Sequence, residues 1–179
     1  DPRNNVVMQY KYDMLGNKVY EDSRDAGKRW LLQNAVGSPL RTWDERNHEL
    51  SFAYDLLHRP ISKKVEGGDG PNPLDNVYER TIYGENLPND KLNNLRTKAA
   101  VVYDTAGKSE TTVFDFKGNP RHATRRFAQN YRDLVDWAGV TPDLKLEAET
   151  FASDFTYDAL NRVVLQTTPD ATISETTFN

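Results

Sequence analysis

Six times along this chain an aromatic residue and an aspartate are followed, after two variable residues, by Gly, Asn or His. The copies are Tyr12-Asp13-x-x-Gly16, Trp43-Asp44-x-x-Asn47, Tyr54-Asp55-x-x-His58, Tyr103-Asp104-x-x-Gly107, Phe114-Asp115-x-x-Gly118 and Tyr157-Asp158-x-x-Asn161. Such recurrence constrains the fold more than any other feature, because each copy must do the same local job. The aromatic residue ends a strand, and the aspartate opens a turn and accepts from the backbone two residues on. The last slot takes residue types that tolerate positive φ and start a bulged return strand. β-Branched residues, which are most strained there, never occupy it. The six copies therefore predict six hairpin turns.

Trp43 and Tyr54 are eleven residues apart, as are Tyr103 and Phe114, which is the strand-plus-turn period of an antiparallel meander. Degenerate turns are expected in the longer gaps, at Asp25-Ala26-Gly27-Lys28 and around Tyr83-Gly84. Between turns, alternating stretches predict strands over 6–12, 18–21, 29–33, 50–54, 61–65, 77–83, 99–103, 110–114, 151–157 and 162–167. The run Gly67-Gly68-Asp69-Gly70-Pro71-Asn72-Pro73 predicts a mobile loop.

Two segments break this rhythm. Asn89–Arg96 offers an N-cap with Leu92 and Leu95 three apart, predicting one or two helical turns. From His122 to Ala138, the residues Phe127, Tyr131, Leu134, Val135 and Ala138 share one helical face, with Gly139 and Pro142 placed to end it. Arg121, Arg125 and Arg126 oppose that reading, since cations stand at the end where the helix dipole favours anions. The expected organisation is repeat strands over 1–88, a short helix and further strands over 89–120, a helical insertion and loop over 121–150, and repeat strands over 151–179.

Composition narrows the function. The 179 residues carry a net charge of −4, which gives no concentrated cationic surface for nucleic acid. Mean hydropathy of −0.79 implies a thin core. An aromatic content of 11% in regular positions nonetheless argues for an ordered β protein. There is no cysteine, hence no disulfide or thiolate site. No apolar run approaches the ~20 residues of a membrane-spanning helix. The chain does not begin with Met and repeats run close to both ends, so it is expected to be a fragment of a longer repeat region.

No catalytic constellation is legible. His48, His58 and His122 lack the spacing of converging metal ligands, and their turn-associated positions suit ordinary surface roles. The serines lie in no Gly-x-Ser-x-Gly context. Paired carboxylates can hydrolyse glycosides, but Asp13, Asp44, Asp55, Asp104, Asp115 and Asp158 recur, and a catalytic acid is normally singular. The cationic group Lys117, Arg121, Arg125 and Arg126 reads as a solvated face offset by Asp115, Asp133 and Asp136 rather than as a polyanion site. Exposed aromatics stacking on sugar rings make a carbohydrate-binding or adhesion module the alternative function.

The units Tyr12-Asp13-x-x-Gly16-Asn17, Tyr103-Asp104-x-x-Gly107-Lys108 and Tyr157-Asp158-x-x-Asn161-Arg162-Val163 resemble the YD-repeat, or RHS-repeat, family. Longer strings sharpen the likeness: Gly27-Lys28-Arg29-Trp30, Leu40-Arg41-Thr42-Trp43-Asp44, Asp115-Phe116-Lys117-Gly118-Asn119-Pro120 and Glu147-Ala148-Glu149-Thr150-Phe151. They look like the repeat region of the B component, of the TcB and SpvB type, of bacterial ABC insecticidal toxin complexes. The resemblance implies a mainly β, antiparallel meander that is part of a spiralling shell-like sheet with one or two short helical insertions. It further implies a secreted, non-enzymatic shell around a cytotoxic effector, with no cofactor. The partners it implies are the remaining repeats of the parent and other toxin-complex components, and open sheet edges invite self-association. The Asp-Pro-x-Gly self-cleavage signature of that family has no counterpart here, since Asp1-Pro2 lacks the following context and Pro169-Asp170 has the reverse order.

Overall fold

A computed structural model describes residues 5–139 and 141–178; the ends of the first and last expected segments, and position 140 within the third, lie outside the described residues. The elements are β1 (Met8–Tyr12), β2 (Lys18–Ser23), β3 (Gly27–Gln33), β4 (Pro39–Asp44), β5 (His48–Tyr54), β6 (Pro60–Gly67), β7 (Leu74–Tyr83), β8 (Ala99–Asp104), β9 (Gly107–Phe114), β10 (Pro120–Phe127), a 3-10 turn at Pro142–Lys145, β11 (Phe151–Tyr157), β12 (Val163–Thr167) and β13 (Ile173–Glu175). All thirteen strands form one sheet in the order in which they occur in the chain. Strand partners from β1 to β6 and from β7 to β13 run antiparallel. The chain is thus mainly β, an antiparallel meander with minor helical content, as the repeat predicts.

Two compact units divide the chain, Asp1–Tyr78 and Glu79–Asn179. In the first, Val65 is the one buried hydrophobic side chain among the described residues. Its stability therefore rests on ladder hydrogen bonds and cross-strand pairs such as Tyr20 against Trp30, whose ring centroids lie 5.6 Å apart. The second holds a small core of Leu95, Ala100, Val101, Tyr103, Phe114, Ala128, Val135, Trp137 and Leu146.

The helix expected over His122–Ala138 does not form. His122–Phe127 belong to β10, which pairs with β9 on one side and with β11 on the other. Two ladders outweigh a local helical period, and Arg125, one of the cations that opposed the helix dipole, reaches across strands to Asp104 and Ser109. Beyond Phe127 the chain is irregular. Side-chain oxygens of Asn130 and Asp136 accept from Arg132 N and Ala138 N, local bonds that compete with helical ones. Tyr131, assigned to the apolar face, is exposed, whereas Val135 is buried. Asn89–Arg96 is likewise a run of turns, with one α-helical bond, from Asn93 N to Asn89 O, and left-handed Asn89 and Asn94. Among the described residues of the 121–150 segment, the one regular helical turn is Pro142–Lys145.

Candidate functional site: the repeat turns and the packed excursion

Four of the six repeat copies make the same turn. At Asp13, Asp55, Asp115 and Asp158 the backbone N–H donates to the carbonyl four residues on, and the N–H of Gly16, His58, Gly118 or Asn161 donates back to the aspartate carbonyl. Those four residues have φ of 84°, 59°, 90° and 63°, the left-handed region. Each aspartate Oδ1 accepts two backbone N–H groups at 2.8–2.9 Å, from the second and fourth residues after it. The residue closing the turn then grips Oδ2: Asn17 at 2.9 Å, Arg59 at 2.7 Å, Asn119 at 2.8 Å and Arg162 at 2.7 Å. This position stands in the longer units as Asn17, Lys108 and Arg162, but the sequence assigns it no role. Its signal is a donor side chain following the left-handed slot. Register shifts at Lys11/Tyr12, Ala53/Tyr54 and Thr156/Tyr157 place a bulge beside the aromatic residue.

A further copy, unrecognised in the sequence, occupies Asn34–Ser38. Asn34 Oδ1 accepts from Val36 N and Ser38 N, and Gly37 has φ 82°. Gln33 stands where the aromatic would be, and Asn replaces Asp, which hid it.

Asp44 shares the carboxylate contacts of these turns, and Asp104 differs. Asp44 accepts from Arg46 N and His48 N, and its Oδ2 lies 2.9 Å from His48 Nδ1, so His48 is the grip of that turn. Asn47 takes φ 61°. Asp104 pairs directly with Gly107 across a tighter, two-residue turn, and Gly107 has φ 145°, positive as expected but far from the 59–90° of the four like turns. Its carboxylate is held by both Arg125 guanidinium nitrogens at 2.7 Å. Lys108, in the gripping position, instead reaches Asp143 at 3.1 Å and Glu110 at 2.9 Å.

The reason for this departure is the excursion between β10 and β11. Trp137 is completely buried, donates from Nε1 to Asp104 O at 2.9 Å, and sets its ring 5.2 Å from that of Tyr103 at a tilt of 41°. Tyr103 OH donates to Asp143 at 2.6 Å, and Ala128 bridges to Leu146. Burial pushes the Tyr103 hydroxyl far above the usual tyrosine range, helped by the Asp143 carboxylate. The cationic group is therefore not a solvated patch throughout: Arg125 serves Asp104, Arg126 donates to Glu147 O at 2.7 Å, and Lys117 to Ala159 O at 2.5 Å.

His58 lies in its turn, and His122 pairs with Asp154 at 2.7 Å across strands. Among the described residues no group of three or more His, Cys, Asp or Glu side chains could hold a metal, and no helix is long and apolar enough to cross a membrane.

The turn aspartates make stability acid-sensitive. The Asn17 side-chain amide and backbone hold Asp13 below its ordinary value of 3.8. The backbone N–H and guanidinium of Arg59 and of Arg162 do the same for Asp55 and Asp158. At Asp115 desolvation pushes upward, and the donors of Asn119 outweigh it. A depressed folded-state pKa adds stability that is complete above the unfolded value and lost as pH falls through the folded one. The melting temperature is thus expected to be flat from pH 7 to about 5 and to fall below about 4. Circular dichroism melts check this, and a profile unchanged down to pH 2.5 would refute it. Combining Asp13→Asn, Asp55→Asn and Asp158→Asn should flatten the acid limb.

No protein-family model matches the chain. A curated relative, toxin subunit YenC2 of Yersinia entomophaga, is 30% identical over 161 residues, covering 78% of this chain and 16% of that protein. Among solved structures, TcdB2-TccC3 without its hypervariable C-terminal region superposes with a TM-score of 0.86 at 22% identity, covering 98% of this chain and 8% of that one. The Photorhabdus luminescens Tc holotoxin pore gives a TM-score of 0.88 at 21% identity, covering 99% of this chain and 8% of that one. The chain therefore spans about a sixth of the curated relative's length and under a tenth of the solved chains it matches.

Proposed function

As a member of the YD/RHS-repeat family of toxin-complex proteins, this chain is, we propose, a strip of wall in a shell that encloses a cytotoxic effector. The observation that carries the reading is a sheet in strict chain order, with next to nothing buried on either face of its first unit. A strip of this kind gains from ladder bonds and from repeated self-satisfied turns, and it suits a boundary better than a solid domain. The likeness to toxin-complex chains extends over 98–99% of its length and supports the same reading.

The wall performs no reaction and binds no cofactor. Each repeated aspartate is spent on its own turn, and Asp143 on Tyr103 and Lys108. The chain works as part of a larger, secreted bacterial protein, with the 1–88, 89–120, 121–150 and 151–179 segments as successive pieces of one repeat region. Its partners are the flanking repeats, continuing from the edges of β1 and β13, and the other toxin-complex components. No observation favours the carbohydrate-binding alternative.

Electron microscopy of the complete gene product tests the proposal. The expected particle is hollow, with density enclosed, and the enclosed segment resists protease until the shell is opened at low pH. A solid particle, or a protein without further repeats, would end it, and so would glycan binding by this chain that depends on its exposed aromatics.

A further inference from the structure

In a meander, successive turns alternate between the two ends of the strands. In the first unit the β1–β2, β3–β4 and β5–β6 turns lie at one end, and the β2–β3 and β4–β5 turns lie at the other. The two rims are unlike. At the first, the turns present Met14 and Leu15, Val36, and Leu56 and Leu57, which are 103%, 87%, 71%, 99% and 67% exposed. At the second they present Arg24, Asp25, Glu45 and Arg46. Turn chemistry explains neither set, because the two middle positions of these turns place no demand on side-chain type.

We propose that this apolar rim is a self-association surface on which the same rim of a second copy docks. Three observations select that occupant. The tips stand two strands apart, roughly 10 Å at ~4.8 Å per strand, so a partner filling every gap must carry tips at the same pitch, as another such rim does. The area suffices: five side chains exposing on the order of 100 Å² each give about 500 Å², comparable to the apolar part of the ~800 Å² per partner of a standard interface. The rim is also electrostatically quiet. Asp55 is held by Arg59 and its own backbone, Asp13, though exposed, accepts from Asn17 and its own backbone, and the third turn has neutral Asn34. Both carboxylates of these three turns are thus already hydrogen-bonded within their own turns. The contact is isologous, the same patch on both copies.

The sheet edge is the weaker candidate for self-association. β1 has five residues and β13 three, and short edge strands resist pairing.

The test is sedimentation of the whole chain across concentrations, in the original form and in two variants. Leu56→Lys/Leu57→Lys charges the rim at exposed positions, and Met8→Lys/Tyr10→Lys charges the edge. The expected result is a dimer weakened at least tenfold by the rim variant and unaffected by the edge variant. Mixing the rim-lysine form with Leu56→Glu/Leu57→Glu should restore a heterodimer. A monomer at all concentrations, a dimer indifferent to the rim variant, or one abolished by the edge variant alone overturns the proposal. None of these outcomes bears on the enclosing role, which concerns the parent shell.

Discussion

Trp137→Ala is expected to destabilise the second unit by about 3–5 kcal/mol, the range for truncating a large buried aromatic side chain. Two losses combine. The completely buried indole, the largest fully buried side chain among the described residues, leaves a cavity beside the Tyr103 ring. The carbonyl of Asp104, which accepts from Nε1, loses its side-chain donor in a desolvated setting. Trp137→Phe keeps most of the packing and loses chiefly the hydrogen bond, so it should cost about 1–2 kcal/mol. Urea unfolding followed by far-ultraviolet circular dichroism measures both, a readout that does not depend on the missing fluorophore. Proteolysis supplies the location: in Trp137→Ala new cleavage should concentrate between β10 and β11, because that stretch holds its place through Trp137, Ala128 and Leu146 rather than through strands. Equal stability of the two variants would show that the excursion lies on the sheet without bracing it.

That excursion also marks where sequence reasoning stops. The strands flanking repeat copies were legible because their boundaries are set locally: β11 was expected at 151–157 and forms there, and β9 and β5 begin only a few residues before their expected starts. Four copies have the turn that their aspartate and left-handed slot dictate, since all the partners lie within five residues. β4, β10 and β13 were not legible. β4 opens on Pro39 after a disguised turn, and β13 has three exposed residues. β10 carries a helical period that its two neighbouring ladders overrule. The unlike geometry at Asp104 depends on Trp137, 33 residues away, and no local pattern announces such a partner. Local chemistry wrote the turns, and long-range packing wrote the exceptions.

The same contrast predicts different outcomes for one substitution at two repeat glycines. Gly16→Val should cost about 1–2 kcal/mol, the strain of a β-branched residue at φ 84°, because a Cβ there meets nothing within 4 Å. Gly107→Val should cost more than about 4 kcal/mol, a magnitude reserved for substitutions that displace the backbone. A Cβ at Gly107 would stand 2.1 Å from Arg126 O and 2.9 Å from Phe127 Cα, so β9 and β10 would have to separate. That separation would break the Gly107–Phe127 pairing and the Ala128 N to Ala106 O bond. Even Gly107→Ala should exceed Gly16→Val, since the clash begins at Cβ. Thermal melts of the three variants against the original chain decide the matter. If Gly16→Val and Gly107→Val shifted the melting temperature equally, conformational strain alone would govern both sites, and the close approach of β10 to Gly107 would not hold in solution.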